Sequence, residues 1–219
     1  MNRLLKARLE ELRLSNKGPE YRHKPVITVT REPGSGAEPI VEKLCSELGM
    51  HRYDWELVEQ IAKDEHVSAQ LVSWLEQHPP TGVEDFFGDL FSEFNKEYRF
   101  SSQEYLESLK RVLLAIAVPG NAVIVGRGSN FFLPADRKIG LCFVAPLSVR
   151  IKNLMKEQGL SDEDARRHIS TLEAEHRKLV KKYFKADIRE PDHYHLVINT
   201  ALVKPELVVQ IVKTMIQPP

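Results

Sequence analysis

The sequence predicts an α/β domain, a three-layer structure with a parallel β-sheet covered by helices on both faces. Short β-branched runs alternate with helical segments along the chain, the pattern of repeated strand–helix–strand units. Two of these runs, Val26-Ile27-Thr28-Val29-Thr30 and Ala122-Val123-Ile124-Val125, are apolar or β-branched at every position. Strands of that kind are buried on both faces, as parallel strands are. The chain has 219 residues, 42% of them hydrophobic. That is enough to bury one core without help from disulfides or metals.

The elements follow in order. Residues 3–14 put Leu5, Leu9 and Leu12 at helical spacing. This N-terminal helix fits a docking arm, a contact between copies in a homo-oligomer, or a mobile extension, and Ser15-Asn16-Lys17-Gly18-Pro19 ends it. The strand over 26–30 leads into Arg31-Glu32-Pro33-Gly34-Ser35-Gly36, and Pro39 opens a helix carrying Ile40, Val41, Leu44 and Leu48 that stops at Gly49. Residues 52–54 end a short strand. Helices are expected over 55–63 and 67–76, and Pro79-Pro80-Thr81-Gly82 breaks the chain. Residues 83–100 mix six aromatics with acids and read as a helical flap packed on the core. A long amphipathic helix is expected over 103–118, then strands over 121–126 and 139–144 and a helix over 146–158 ending at Gly159. Ser161 followed by Asp162, Glu163 and Asp164 reads as the N-cap and acidic first turn of a helix reaching about residue 184. A strand over 195–200 and a helix over 205–215 complete the chain. The expected organisation is an N-terminal extension over 1–25 and one domain over 26–219.

Composition excludes more than it assigns. Lys+Arg and Asp+Glu balance at 31 each, so net charge directs the chain to neither nucleic acid nor membrane. The N-terminus is too charged for a signal peptide, and no apolar run approaches the ~20 residues of a membrane span. Cys45 and Cys142 sit in apolar stretches and are expected as free, buried thiols in a reducing cytoplasm. No H-E-x-x-H, C-x-x-C or G-x-S-x-G motif occurs, so metalloprotease and serine-hydrolase chemistry have no support.

Chemistry concentrates at the loop after the first strand. Strand, glycine turn and helix form the unit that cradles phosphate, with backbone amides and the helix N-terminus facing the anion. A full phosphate loop reads G-x-x-x-x-G-K-[ST]. Here Gly34, Ser35 and Gly36 are present, Ala37 stands where the lysine would be, and Glu38 where the magnesium-binding hydroxyl would be. The point charge and the hydroxyl are therefore missing, while backbone binding survives. Arg31, just before the turn, either restores part of the charge or pairs with an acid such as Glu32.

Several short motifs in this order resemble the cytidylate kinase-like family: the opening Ile27-Thr28-Val29-Thr30-Arg31-Glu32-Pro33-Gly34-Ser35-Gly36; Tyr53-Asp54; Gly126-Arg127-Gly128; Val144-Ala145-Pro146-Leu147 with Arg150; Gly159-Leu160-Ser161; and Leu196-Val197-Ile198-Asn199-Thr200. The resemblance spans roughly residues 26–216 and implies a P-loop NTPase-like fold with a helical lid over about 160–189. It implies ATP and Mg²⁺ as cofactors and a CMP- or dCMP-like acceptor. By the same resemblance Arg127 binds the acceptor's phosphate and Asp54 lies at the acceptor site, though Asp54 also suits an N-cap for the helix that follows. Where the family carries an aspartate after that arginine, this chain has Gly128. The basic segment 161–189 matches the lid, and Arg167 and Arg177 are its nearest equivalents of phosphoryl-binding arginines. A solvated helix face or a nucleic-acid contact would use the same residues, but no nucleic-acid motif accompanies them.

Three functions follow: a nucleoside monophosphate kinase using ATP; a pseudokinase that binds nucleotide or phosphate without turnover; and a partner-binding protein that uses the N-terminal helix and the basic segment.

Overall fold

The computed structural model describes residues 25–55, 58, 109–110, 112–114, 116–117, 120–126 and 128–216. The N-terminal helix, the helix over 67–76, the aromatic flap and Arg127 lie outside the described residues. Within the helices expected over 55–63 and 103–118, the described Trp55, Val58, Leu109, Val112, Leu113, Leu114 and Ile116 are helical and buried.

Five strands form one parallel sheet: β1 (Val26–Arg31), β2 (His51–Asp54), β3 (Ala122–Val125), β4 (Ile139–Val144) and β5 (Leu196–Asn199). Their order is β2-β3-β1-β4-β5. β1 is central, with Val26 opposite Ala122 on one side and Arg31 opposite Phe143 on the other. The chain leaves β1 toward β2 and later crosses to β4, so the sheet's topological switch point lies at the carboxyl end of β1. The loop after β1 therefore occupies the place where such sheets bind ligands.

Among the described residues five helices have both ends in view beside the sheet: α1 (Glu38–Leu48), α2 (Ser129–Phe132), α3 (Leu147–Gln158), α4 (Asp162–Phe184) and α5 (Pro205–Ile216). Along β1 the pleat sends Ile27 and Val29 to one face, where they join Ile40, Val41 and Leu44 of α1 and Val208, Val209 and Val212 of α5. Thr28, one residue out of phase, faces the other side and donates from Oγ1 to Asn130 Oδ1 of α2 at 3.0 Å. Helices thus lie on both faces, as the sequence predicts. The expected stops are observed: Gly49 and Gly159 close α1 and α3 in the left-handed conformation, and Ser161 caps α4 by accepting from the Asp164 amide. Both cysteines are free thiols. Cys142 is buried, and burial pushes its pKa up to about 12.

The short helix α2 and the 3-10 turns at Ala135–Arg137 and Pro191–His193 are absent from the sequence reading. Four residues are too few for a 3.6-residue period to show. α2 is held by tertiary bonds instead. Asn130 Nδ2 donates to His193 O, and the half-buried Lys138 donates from Nζ to Leu133 O.

Arg150 joins three parts of the fold. It is 7% exposed. From α3 its Nε donates to Ala145 O at 3.1 Å and lies 3.5 Å from Glu32 of the loop after β1. Its Nη1 reaches Glu173 of α4 at 2.5 Å. The loop and α4 are thus set relative to one another through one guanidinium, whose planar fork suits several acceptors at once.

Two predictions follow. A Cβ on Gly34 would lie 2.5 Å from Arg150 O at φ +74°, whereas one on Gly159, at φ +68°, meets nothing within 4 Å. Gly159→Ala is expected to cost about 1–2 kcal/mol from its left-handed backbone alone, and Gly34→Ala clearly more. Equal losses in urea denaturation would contradict the packing role of Gly34. Arg150→Met keeps the buried stem but strands Glu32 and Glu173. Its expected cost is about 1.5–3 kcal/mol, the range for hydrogen bonds to charged groups. In a double-mutant cycle with Glu173→Gln the two losses should fall short of additivity.

Candidate functional site

The loop from Glu32 to Ala37 is pinned by its carbonyl side. Asn153 Nδ2 of α3 donates to Gly34 O at 2.8 Å, and Thr200 Oγ1 donates to Ser35 O. The Glu32 carboxylate accepts the Ala145 amide at 3.0 Å. In a trans peptide the C=O and the following N–H point in opposite directions. Drawing Ser35 O into the protein therefore turns the Gly36 amide outward. At the next turn Ala37 O accepts from Ile40 N and Val41 N, which aims the Glu38 amide back toward the loop. The N-cap Ala37 offers no side-chain cap to α1. Among the described residues, the amides of Gly34, Gly36, Ala37 and Glu38 have no protein acceptor. Ser35 N alone of this group is spent, on Glu32 O. Gly34 and Gly36 both have positive φ, and such turns, followed by the right-handed Ala37, form concavities of outward amides that suit anions.

One buried polar group points the same way. Ser35 is 2% exposed, and its Oγ has no hydrogen-bond partner among the described residues. A buried hydroxyl without a partner is a costly arrangement that an oxygen-rich ligand would relieve. Ser35 lines a cavity of about 370 Å³ together with residues 30–38, the ends of β1 and β3, and the carboxyl-terminal part of α3. The opposite wall is α4, which presents His168, Leu172 and His176, one residue per turn along a single stripe.

The geometry bears on two expectations about side chains. Arg167 and Arg177 do not line the cavity. Arg167 is exposed and pairs with Asp164 on its own helix, and Arg177 is exposed as well. The stripe from residue 168 through 172 to 176 faces the loop, and residues 167 and 177 fall about 100° to either side of it. Nor is Ala37 a simple deletion of a lysine. It is 2% exposed and packs in the main core cluster with Ile40 and Val41. Its position nevertheless borders the cavity.

Arg31 takes the acid-paired role, but its partner is Glu38 rather than Glu32. Arg31 Nη1 donates to Glu38 Oε2 at 2.6 Å, and Arg52 Nη1 donates to Glu38 Oε1. Burial works to raise the pKa of Glu38, but the bonds from Arg52 and Arg31 together outweigh it and hold the carboxyl below its ordinary value. Asp54 is engaged from the side: Arg52 Nε reaches Oδ2 at 2.9 Å and Arg52 Nη2 reaches Oδ1 at 2.8 Å. Asp54 thus orients Arg52. Nothing in the sequence marked Arg52, because it lies 14 residues from Glu38 and meets it only through the pairing of β2 beside β3. Asn153, Thr200 and the two cavity histidines were likewise unmarked. The Gly126 and Gly128 backbones have φ of +108° and +83°, and a Cβ on Gly128 would stand 3.3 Å from Val180 of α4. A side chain at position 128 would sit tightly against Val180 of α4 and would need a left-handed backbone besides.

Comparisons with known proteins agree with this geometry. Residues 26–202 match the profile of the cytidylate kinase-like family. The chain is 31% identical to a cytidylate kinase of Pyrococcus horikoshii over 197 residues, 88% of each chain. It is 27% identical to a cytidylate kinase of Ignicoccus hospitalis over 191 residues, 87% of this chain and 98% of that one. The crystal structure of an uncharacterized protein from Eubacterium ventriosum shares the fold, with a TM-score of 0.58 at 16% identity over 88% of this chain and 98% of the other. The phosphate-loop architecture and a family match across most of the chain lead to one conclusion: this protein belongs to the cytidylate kinase-like family.

Proposed function

We propose that the protein transfers the γ-phosphoryl group of ATP to a nucleoside monophosphate of the CMP type, with the donor's phosphates on the loop amides. The observation that carries this is the set of uncapped amides at Gly34, Gly36, Ala37 and Glu38 beside the unpartnered Ser35 hydroxyl, all at one cavity. Phosphoryl transfer asks a protein chiefly for positioning and charge neutralisation. The amides and the α1 N-terminus position the donor, Arg31 brings a cation to the cavity wall, and Leu172 with the α4 backbone excludes water from one side. In this reading Arg127 receives the acceptor's phosphate through its guanidinium fork. Asp54 serves the site indirectly, by orienting Arg52. Residues 26–219 act as one kinase domain with α4 as its lid over about 160–189, and the setting is cytoplasmic.

Magnesium, when present, neutralises charge on the β- and γ-oxygens of the nucleotide. Among the described residues no group of three or more His, Cys, Asp and Glu is placed to hold a metal ion. Phosphate oxygens and water would supply most of its ligands, as is usual for Mg²⁺ at nucleotide sites.

A second reading keeps nucleotide binding and omits turnover. Its support is specific: the lysine and hydroxyl positions are filled by a core alanine and by a carboxylate already held by two arginines. Losing one preorganised contact of this kind commonly costs on the order of 10²–10³ in rate.

Thermal melts and a coupled turnover assay separate the readings. The kinase reading expects ATP with Mg²⁺ to raise the melting temperature and CMP to be phosphorylated. A shift without turnover leaves the binding reading alone, and no shift with any nucleotide refutes both. Inserting the missing lysine should not restore a standard loop. Ala37→Lys overfills a packed position and is expected to lower stability by about 1–3 kcal/mol in urea denaturation. A variant as stable as wild type that binds ATP more tightly would show that position 37 opens to the ligand after all.

A further inference from the structure

We propose that Arg31 and Arg52 form a two-guanidinium phosphate clamp whose built-in occupant is the Glu38 carboxylate, and that a polyphosphate seated on the loop amides displaces this carboxylate and takes its place. The inference rests on the reading of the loop as a phosphate site and adds to it the cations that do the work of the missing lysine.

The contact geometry is that of an anion held between two forks. Each guanidinium gives one N–H to a different oxygen of the same carboxylate: Arg31 Nη1 to Oε2, and Arg52 Nη1 to Oε1. Two oxygens on one atom, each meeting its own guanidinium, is also how one edge of a phosphoryl group is recognised, since carboxylate and phosphate accept the same planar donors. Arg52 is aimed independently of Glu38. Asp54 takes its Nε and Nη2 edge at 2.9 and 2.8 Å, which leaves Nη1 pointing at the shared anion position. If Glu38 swings away, Asp54 still holds that direction.

Glu38 is placed to be displaced. It is the first residue of α1, so the amide that belongs to the anion-binding set and the carboxylate that both arginines hold sit on one residue. Its side chain is 42% exposed, and it can turn into solvent without burying its charge. Ion pairs this open to water contribute little net stability, so exchanging a carboxylate for a more highly charged phosphate is favourable. The exchange also changes the local balance. With Glu38 bound, two guanidiniums face two carboxylates. With Glu38 released, they face the ligand and Asp54 alone.

Calorimetric titrations of the full chain with inorganic pyrophosphate and with ATP test the clamp, using wild type, Glu38→Gln, Arg52→Met and the double variant, each checked for folding by circular dichroism. The clamp predicts that Glu38→Gln binds pyrophosphate roughly tenfold more tightly, and that Arg52→Met weakens binding roughly tenfold or more. In the Arg52→Met background most of the gain from Glu38→Gln should vanish, because Glu38 then competes for only one guanidinium. An equal gain in both backgrounds means plain charge repulsion and overturns the clamp, as does folded Glu38→Gln protein that binds no more tightly than wild type. In either case ATP binding by wild type leaves the phosphate-loop reading standing. If neither wild type nor Glu38→Gln binds pyrophosphate or ATP, the loop reading falls and the clamp falls with it.

Discussion

The orientation of a few peptide groups after β1 determines what this protein can do. Asn153 and Thr200 hold the carbonyls of Gly34 and Ser35 against the body of the domain. Because a trans peptide cannot turn its C=O and N–H to the same side, pinning Ser35 O turns the Gly36 amide outward, while the Ser35 amide closes the turn on Glu32 O. The pins come from distant parts of the chain, α3 and the residue after β5, and both reach the loop because β4 brings α3 and β5 alongside β1. Gly34 permits the close approach: its missing side chain leaves room for the Arg150 carbonyl. Sheet order, strand pairing and one glycine therefore act together to present backbone donors to an anion, with no charged side chain required.

Charge is then the deciding variable, and it resides in places the usual motif does not name. A lysine at position 37 would have to leave a core that includes Ile40 and Val41. The cations near the loop come instead from the last residue of β1 and from β2, and one carboxylate from α1 ties them together. The cluster's carboxylates match its guanidiniums in number, so with Glu38 in place the two arginines carry no net positive charge between them and their acids. Under the clamp proposed above, affinity for phosphate would depend on an exchange of partners rather than on simple attraction.

Much of this was legible in the sequence, and the limits have physical causes. The strand over 26–30 and the helix closed by Gly49 follow from β-branched content and glycine stops, which are local properties. So do the Ser161 cap and the strand over 139–144. The parallel sheet followed from strands apolar on both faces. The glycine turn was readable because only glycine suits its backbone. The direction in which each helical residue faces was harder to read. α4 has apolar residues at Ala165, Ile169, Leu172 and Val180 and six arginines and lysines among its 23 residues. The family resemblance put Arg167 and Arg177 forward as lid arginines, but the face is decided by where α4 crosses α3 and the turn at Gly128. The partnership of Glu38 with Arg52 was invisible for the same reason, since it exists only once β2 lies beside β3.

Arg150 decides how the binding surface and the opposite wall meet. One guanidinium touches Glu32 at the base of the loop and Glu173 on α4, with little room for water. A shift of α4 by one turn would break the Glu173 contact and slide the stripe along the loop, and a rotation by one residue would bring a different face of the helix over it. The residues that face the cavity, His168, Leu172 and His176, are thus set by a contact on the buried side of the same helix. In the proposed function, binding phosphate and closing over it are separate tasks. The first belongs to backbone amides fixed by α3 and Thr200, and the second to a helix indexed by Arg150. Loss of the lysine alters the charge available to the first task and leaves the geometry of the second unchanged, so a family member with this loop can keep a shaped nucleotide site whatever its rate of turnover.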